Sequence, residues 1–235
     1  VSVFEQVLAV QELDTSGDQL RALLERLPER IARRDADRAV DALRAERSAL
    51  QARAGDLEAE IGNAERDSAA IDAHVERLNR QLKTIISPRE AEALQNELAG
   101  LAARRSDLDD VGLAALESLG DIEVAQAELD AREPELVDAA VAAAGTQAEA
   151  EAAIAAQLAD LAERRAAAAA GLPADLLGTY ESMRIQFKGV AISRLQGATC
   201  GGCHLDLSRS ELEAVKAAPP DDAAHCPNCD RWLIR

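Results

Sequence analysis

Large rings are scarce in this chain. Four of its 235 residues are aromatic, Phe4, Tyr180, Phe187 and Trp232, and three of those lie beyond residue 179. Rings dominate the filling of compact cores, each burying on the order of 150–250 Å², and the first 170 residues have a single one to offer. That excludes a compact enzyme body there and leaves long helices packed through Leu, Ile, Val and Ala. Also missing is an uncharged apolar run of the ~18–20 residues that a membrane span requires. No basic segment leads into an apolar one in the secretory manner, although the chain opens at Val1, as a trimmed terminus would. There is no glycine-rich phosphate loop and no G-x-S-x-G elbow. None of the many carboxylates is tied to a histidine or nucleophile, so no enzymatic activity is expected. Cysteine is confined to four positions within thirty residues of one another, arranged as C-x-x-C twice. That pattern points to a metal in a reducing cytoplasm and away from a disulfide framework.

What is present is alanine and charge: 51 alanines, with 29% of the residues Asp, Glu, Lys or Arg. A chain rich in A/E/L/R with helical periodicity reads as coiled coil. Residues 1–171 hold 19 basic and 35 acidic side chains, residues 172–188 are balanced, and residues 189–235 hold five basic and six acidic. A body at −16 does not hold nucleic acid by bulk electrostatics and is repelled by anionic membrane.

Val3, Val7, Val10 and Leu13 follow helical spacing, and Asp14-Thr15-Ser16-Gly17-Asp18 predicts a turn after them. Leu20, Leu24, Leu27 and Ile31 resume the pattern, with Pro28 as a first-turn proline or kink. From Val40 the chain keeps heptads. Its d positions, Leu43, Leu50, Leu57, Ala64, Ile71, Leu78 and Ile85, are all apolar, and Arg47 and Ser68 are the polar exceptions at a. Ser87-Pro88-Arg89-Glu90 reads as N-cap, N1 proline and N3 glutamate of a new helix. This predicts a hairpin tip near 85–89, with Leu78 and Ile85 close to Leu94 and Leu98; a kinked continuous rod is the competing reading. The return arm has apolar d residues from Leu94 to Ala150 but mixed a positions, among them Arg105, Gly112, Gln126, Glu133 and Gln147. Polar a residues cost stability and fix register. Pro134 should bend this helix. Ala170-Gly171-Leu172-Pro173 is a stop and restart, placing the hairpin at 1–171 and a connecting helix (Pro173 to about Phe187) plus a small domain at 172–235.

In that small domain, Cys200-Gly201-Gly202-Cys203 and Cys226-Pro227-Asn228-Cys229 are two knuckles that give four thiolates a tetrahedral site for one structural Zn2+. The glycines, Pro227 and Asn228 permit the bends. Strands are expected at Val190–Leu195 and Arg231–Ile234, with a helix at Glu211–Ala218 capped from Ser208. His204 and His225 adjoin cysteines and are rival ligands, expected to lie outside the metal shell because four thiolates suffice. A thiol redox couple is the alternative use of the cysteines, but it belongs on a βαβ unit that this sequence does not display. A catalytic zinc needs an open position, which four thiolates do not leave.

The segments Leu172-Pro173, Leu177, Tyr180-Glu181, Arg184, the four cysteines with Leu207, Glu211-Leu212 and Arg231, together with the tip Ser87-Pro88-Arg89-Glu90, Ala93-Leu94-Gln95 and Glu97, resemble bacterial C4-type zinc-ribbon proteins with an N-terminal coiled-coil hairpin. The resemblance implies a non-enzymatic, nucleic-acid-binding or regulatory role, in some members alongside an alternative sigma factor. Asp230 stands where that family has glycine, a position Asp tolerates in the left-handed region. Two functions are therefore expected to compete. One is a cytoplasmic adaptor or transcription- or translation-linked regulator binding a protein through hairpin and ribbon. The other is direct RNA or DNA binding by a ribbon face of Trp232, Arg231, Arg235, Arg194 and Arg209, with Trp232 equally expected in the ribbon's core. The doublets Arg33-Arg34, Arg104-Arg105 and Arg164-Arg165, the near-tip Arg77, Arg80 and Lys83, and the lone His74 are expected on solvated helix faces.

Overall fold

A computed structural model describes residues 2–219 and 224–235. The elements are α1 (Val3–Glu25), α2 (Pro28–Leu82), α3 (Pro88–Ala169), α4 (Ala174–Gln186), β1 (Ile192–Gln196), β2 (Thr199–Cys200), α5 (Arg209–Ala217), β3 (Ala224–His225) and β4 (Trp232–Ile234). The chain is mainly helical: α1 and α2 form one arm of a long hairpin, α3 the other, and a small four-stranded sheet follows. Contacts divide it into two compact units, Ala32–Ala143 and the combination of Val1–Ile31 with Ala144–Arg235.

Within Ala32–Ala143 the heptad seam is the core. Leu43, Leu57, Ala64, Ile71 and Leu78 of α2 are buried, as are Ala115, Ile122 and Leu129 of α3. Leu57, Ala115 and Ile122 pack with Leu50, Ala54, Ile61 and Leu119, all a or d residues. The arms are antiparallel. As α2 advances from Arg47 to Asp72 and His74, the α3 partners retreat from Asp130 and Glu133 to Arg105 and Glu97. Arg47 and Glu133, both polar residues at a, meet at 2.7 Å, so the two seam defects satisfy one another and pin the register. The hydrogen bond from Arg47 holds the Glu133 carboxyl below the ordinary carboxylate range. His74 lies 3.4 Å from Glu97 instead of standing alone. At the tip, α2 ends one turn earlier than the heptads imply. Thr84 folds its N–H and hydroxyl onto the Gln81 carbonyl, and Ile85 falls in the loop, half-buried. Pro88 opens α3, where its missing N–H costs nothing, and the helix runs on through Pro134.

In the other unit the turn expected at Asp14–Asp18 does not form: α1 runs unbroken to Glu25. Tertiary contacts override the local preference. Asp14 accepts from the Tyr180 hydroxyl at 2.8 Å and pairs with Arg165 at 3.0 Å, which requires it on the helix face. Ser16 returns its hydroxyl to the Glu12 carbonyl, and Gly17 is buried. The break comes at Arg26-Leu27, just before Pro28. Burial first, then the Asp14 hydrogen bond, pushes the Tyr180 hydroxyl far above its usual range. Arg165 also reaches Glu181 of α4, so this member of a basic doublet is a structural cation. Arg164 pairs within its own helix with Asp160, and Arg33 and Arg34 pair with Asp37 and Asp35.

The sheet order is β2-β1-β4-β3, with β1 and β4 parallel and the outer pairings antiparallel. Alternation sends Trp232 and Ile234 to one face and Leu233 to the other. The first face, with Ala191 and Ile192, packs on Val7, Leu8 and Val10 of α1 and Tyr180 of α4. Trp232 meets Phe4 edge-on at 5.5 Å. Gln11 is buried here and completes the edge of β1 from the side. Its Oε1 accepts the N–H groups of Ala191 at 2.7 Å and Ile192 at 2.9 Å, and its Nε2 donates to the Ile192 carbonyl at 2.7 Å. Packing thus joins segments on both sides of residue 171.

Candidate metal centre

The opposite face of the sheet carries the cysteines. Cys200 and Cys226 are buried among Leu207, Val215, Ala224 and Leu233, with Cys203 and Cys229 half-buried beside them. The helix α5 covers this cluster and is fixed by a reciprocal cap: the Ser208 hydroxyl accepts from the Glu211 N–H, and the Glu211 carboxylate accepts from the Ser208 N–H at 2.7 Å.

The two knuckles are copies of one another. In the first, His204 N–H donates to the Cys200 carbonyl at 2.8 Å; in the second, Asp230 N–H donates to the Cys226 carbonyl at 2.8 Å. The residue after each second cysteine is left-handed, His204 at φ 62° and Asp230 at φ 61°. For Asp230 this is the conformation that its place in the family pattern implies. The pseudo-repeat C-x-x-C-x is the signal that would have placed His204 there too. Gly201 and Gly202 are needed for space and not for a special φ. A Cβ on Gly201 would sit 2.7 Å from the Arg194 carbonyl oxygen, and one on Gly202 would sit 2.9 Å from Arg231 Cδ. Positive φ falls instead on Gly197, in the two-residue turn between β1 and β2.

All four sulfurs lie within 4.8 Å of one another, and among the described residues they are the one such group of potential metal ligands. Cys200 Sγ is 4.0 Å from Cys229 Sγ, and Cys203 Sγ is 3.9 Å from Cys226 Sγ. A tetrahedral zinc with arms of about 2.3 Å sets its sulfurs about 3.8 Å apart, whereas a disulfide needs about 2.05 Å. The donor set therefore fits one structural Zn2+ at Cys200, Cys203, Cys226 and Cys229. Burial raises the Cys200 thiol, but the N–H groups of Cys203 and Gly202 and the Ser193 hydroxyl outweigh it and bring it to about 7. Burial dominates at Cys226 and pushes it up to about 12. Metal binding must thus displace protons from the buried thiols, which makes affinity fall at low pH. When bound, the ion supplies cross-linking of the two knuckles; Leu207, Val215 and Leu233 keep water from that cluster. Both histidines lie outside the set, exposed, with His225 Nδ1 3.1 Å from the Asp230 carbonyl oxygen.

Four of the five residues expected on a nucleic-acid face are engaged elsewhere, and the fifth, Arg209, stays exposed. Trp232 is core, 4% exposed. Arg194 forms a two-pronged pair with Glu5 at 2.7 and 2.6 Å. Arg231 donates to the Val190 carbonyl at 2.8 Å and lies over the Phe187 ring. Arg235 caps the C-terminal end of α5, donating to the carbonyls of Lys216, Ala218 and Pro219. Arg209 pairs with Glu213 at 3.5 Å.

Residues 10–188 match the family model described as CT398-like coiled coil hairpin domain, and residues 199–233 match the C4-type zinc ribbon domain. Uncharacterized proteins from two strains of Mycobacterium tuberculosis are 29% identical, over 97% of this chain and 94% of their own length. The fold is shared with a solved structure from Mycobacterium smegmatis (TM-score 0.82, 22% identity, 99% of this chain and 97% of the other). It is shared too with CT398 of Chlamydia trachomatis (TM-score 0.79, 18% identity, 98% and 96%) and HP0958 of Helicobacter pylori (0.62, 19%, 98% and 96%).

Proposed function

The chain belongs to the CT398-like coiled-coil hairpin family and ends in a C4-type zinc ribbon, and we propose on that premise that it is a non-enzymatic interaction protein. Its hairpin offers the surface for a protein partner, and its ribbon is chiefly a zinc-stapled clasp on the hairpin root. The observation that carries this reading is that most of the ribbon's candidate nucleic-acid residues are already engaged, while the hairpin keeps large apolar side chains off its seam. Four of the ribbon's five candidate nucleic-acid residues are buried, paired across elements or bonded to main-chain carbonyls. The hairpin instead leaves Leu113, Leu116 and Val124 more than half exposed, at heptad positions b, e and f that the seam does not use. Water-facing leucines off the seam are what a further partner would cover. Regulation linked to transcription or translation, in the cytoplasm, is the specific form proposed, following the resemblance carried by the tail and tip residues. Among the described residues no helix is long and apolar enough to cross a membrane.

The test is residue-specific photocrosslinking in the native cell extract, with the reactive group placed in turn at Arg89, Leu113 and Arg209. Protein adducts from the hairpin positions are expected. Nucleic-acid adducts from Arg209, with none to protein from Arg89 or Leu113, would replace this reading with direct RNA or DNA binding by the ribbon.

A further inference from the structure

Midway along the Ala32–Ala143 hairpin lies a groove of about 610 Å³ whose lining includes Ile61, Ala64, Leu108, Gly112, Leu113 and Leu116. It exists because the seam thins there. Ala64, Ser68 and Gly112 hold a and d positions that carry Leu or Ile in other layers, so less bulk fills the space between the helices. Leu113 is 59% and Leu116 53% exposed, large apolar side chains for which the hairpin itself has no use. The surroundings are acidic. Glu65 and Asp109 also line the groove, beside an Asp72 that is already paired, and residues 58–76 and 104–120 together hold ten acidic side chains against three basic ones. Two of those three cations are already occupied, Arg105 by Asp72 and Arg66 by Gly62 and Asn63 of its own helix.

We propose that this groove receives a cationic amphipathic helix from another protein, laid against Leu113 and Leu116 with its Lys or Arg flanks facing the acidic rim. An exposed apolar strip between two helices is the seat of a third helix at heptad spacing, and the rim selects its charge. A second copy of this chain is a poor occupant, since its own hairpin would bring acidic flanks against acidic flanks. The inference rests on the interaction reading of the hairpin and deepens it by naming the partner's chemistry.

The experiment uses the zinc-loaded full chain and two labelled synthetic helices of about 22 residues with Leu at a and d, one flanked by Lys and its twin by Glu. Fluorescence anisotropy is expected to show the Lys helix binding at least about tenfold more tightly than the Glu twin. The double variant Leu113→Ala, Leu116→Ala should weaken the Lys helix at least about fivefold. Val141→Ala, exposed on the same helix α3, should leave it unchanged, with circular dichroism confirming that both variants fold. Equal binding of the Lys helix to parent and double variant would reduce the effect to bulk charge and overturn the proposal. So would sedimentation showing a parent dimer that the double variant dissolves. Either failure, accompanied by protein crosslinks from Arg89 at the tip, would leave the interaction reading standing without the groove.

Discussion

Gln11 ties the ribbon to the hairpin root through three hydrogen bonds to main chain. Replacing it by Met keeps the volume and helix propensity of α1 and removes three hydrogen bonds to Ala191 and Ile192. Each bond contributes about 0.5–1.5 kcal/mol net, and a buried main-chain group left unmet costs about 1–3 kcal/mol. Partial relief by shifts at the edge of β1 brings the expected loss to about 3 kcal/mol. Trp232 is the only tryptophan and sits in the same core as Ile192 and Val10, so its emission during urea unfolding of the zinc-loaded chain reports this junction. Gln51→Met, at an exposed α2 position, should change stability by less than about 0.5 kcal/mol and serves as the control. A Gln11→Met transition within about 0.5 kcal/mol of the parent would refute the reasoning, because the three hydrogen bonds would then contribute nothing to holding β1 on α1.

Removal of zinc by a chelator, or Cys226→Ser, should unfold the ribbon and shift Trp232 emission. Since Trp232 packs on Phe4, α1 and α4 should loosen with it while the α2–α3 seam of Ala32–Ala143 stays helical by far-UV circular dichroism; an unmoved Trp signal with less than one zinc per chain would return the cysteines to redox chemistry. His204→Gly should stabilise the ribbon by about 0.5–1 kcal/mol by relieving a left-handed non-glycine, whereas Gly201→Ala should destabilise it, because the added Cβ meets the Arg194 carbonyl; zinc-dependent melting distinguishes the two signs. The Glu133 carboxyl is depressed by Arg47, so its contribution is complete above the unfolded carboxylate pKa of about 4.3 and is lost as pH falls through the lower folded value; Arg47→Ala should flatten that acid-side loss in a melting series, and an unchanged pH profile would rule the pair out as a register pin.

The hairpin was legible because heptads are a one-dimensional signal. Seven apolar d residues and a Ser-Pro-x-Glu restart fix two helices and a tip without knowledge of what they touch. The metal set was legible for the same reason, from spacing alone. What escaped is tertiary. Asp14–Asp18 has turn composition, but Asp14 is claimed by Tyr180 and Arg165, more than 150 residues away in sequence. Gln11 follows Val7 at i+4 on a helix face read as apolar. A polar residue at a core position was the available hint, but its partner is main chain that sequence does not reveal. The parallel pairing of β1 with β4 was likewise hidden, since pairing between strands of three to five residues leaves little trace in pattern. The ribbon arginines looked free because their acceptors, Glu5, Val190 and the carbonyls at the C-terminal end of α5, are brought to them only by folding.

The most direct discrimination between a clasp and a reader of nucleic acid is the salt-dependent anisotropy of labelled single-stranded RNA and duplex DNA titrated with the zinc-loaded full chain. A ribbon whose arginines are internally paired, on a chain of net charge −17, should show no saturable binding up to roughly 10 μM protein at about 0.1 M salt. Saturable binding whose logarithm falls steeply with the logarithm of salt concentration, and which Arg209→Ala weakens, would contradict it.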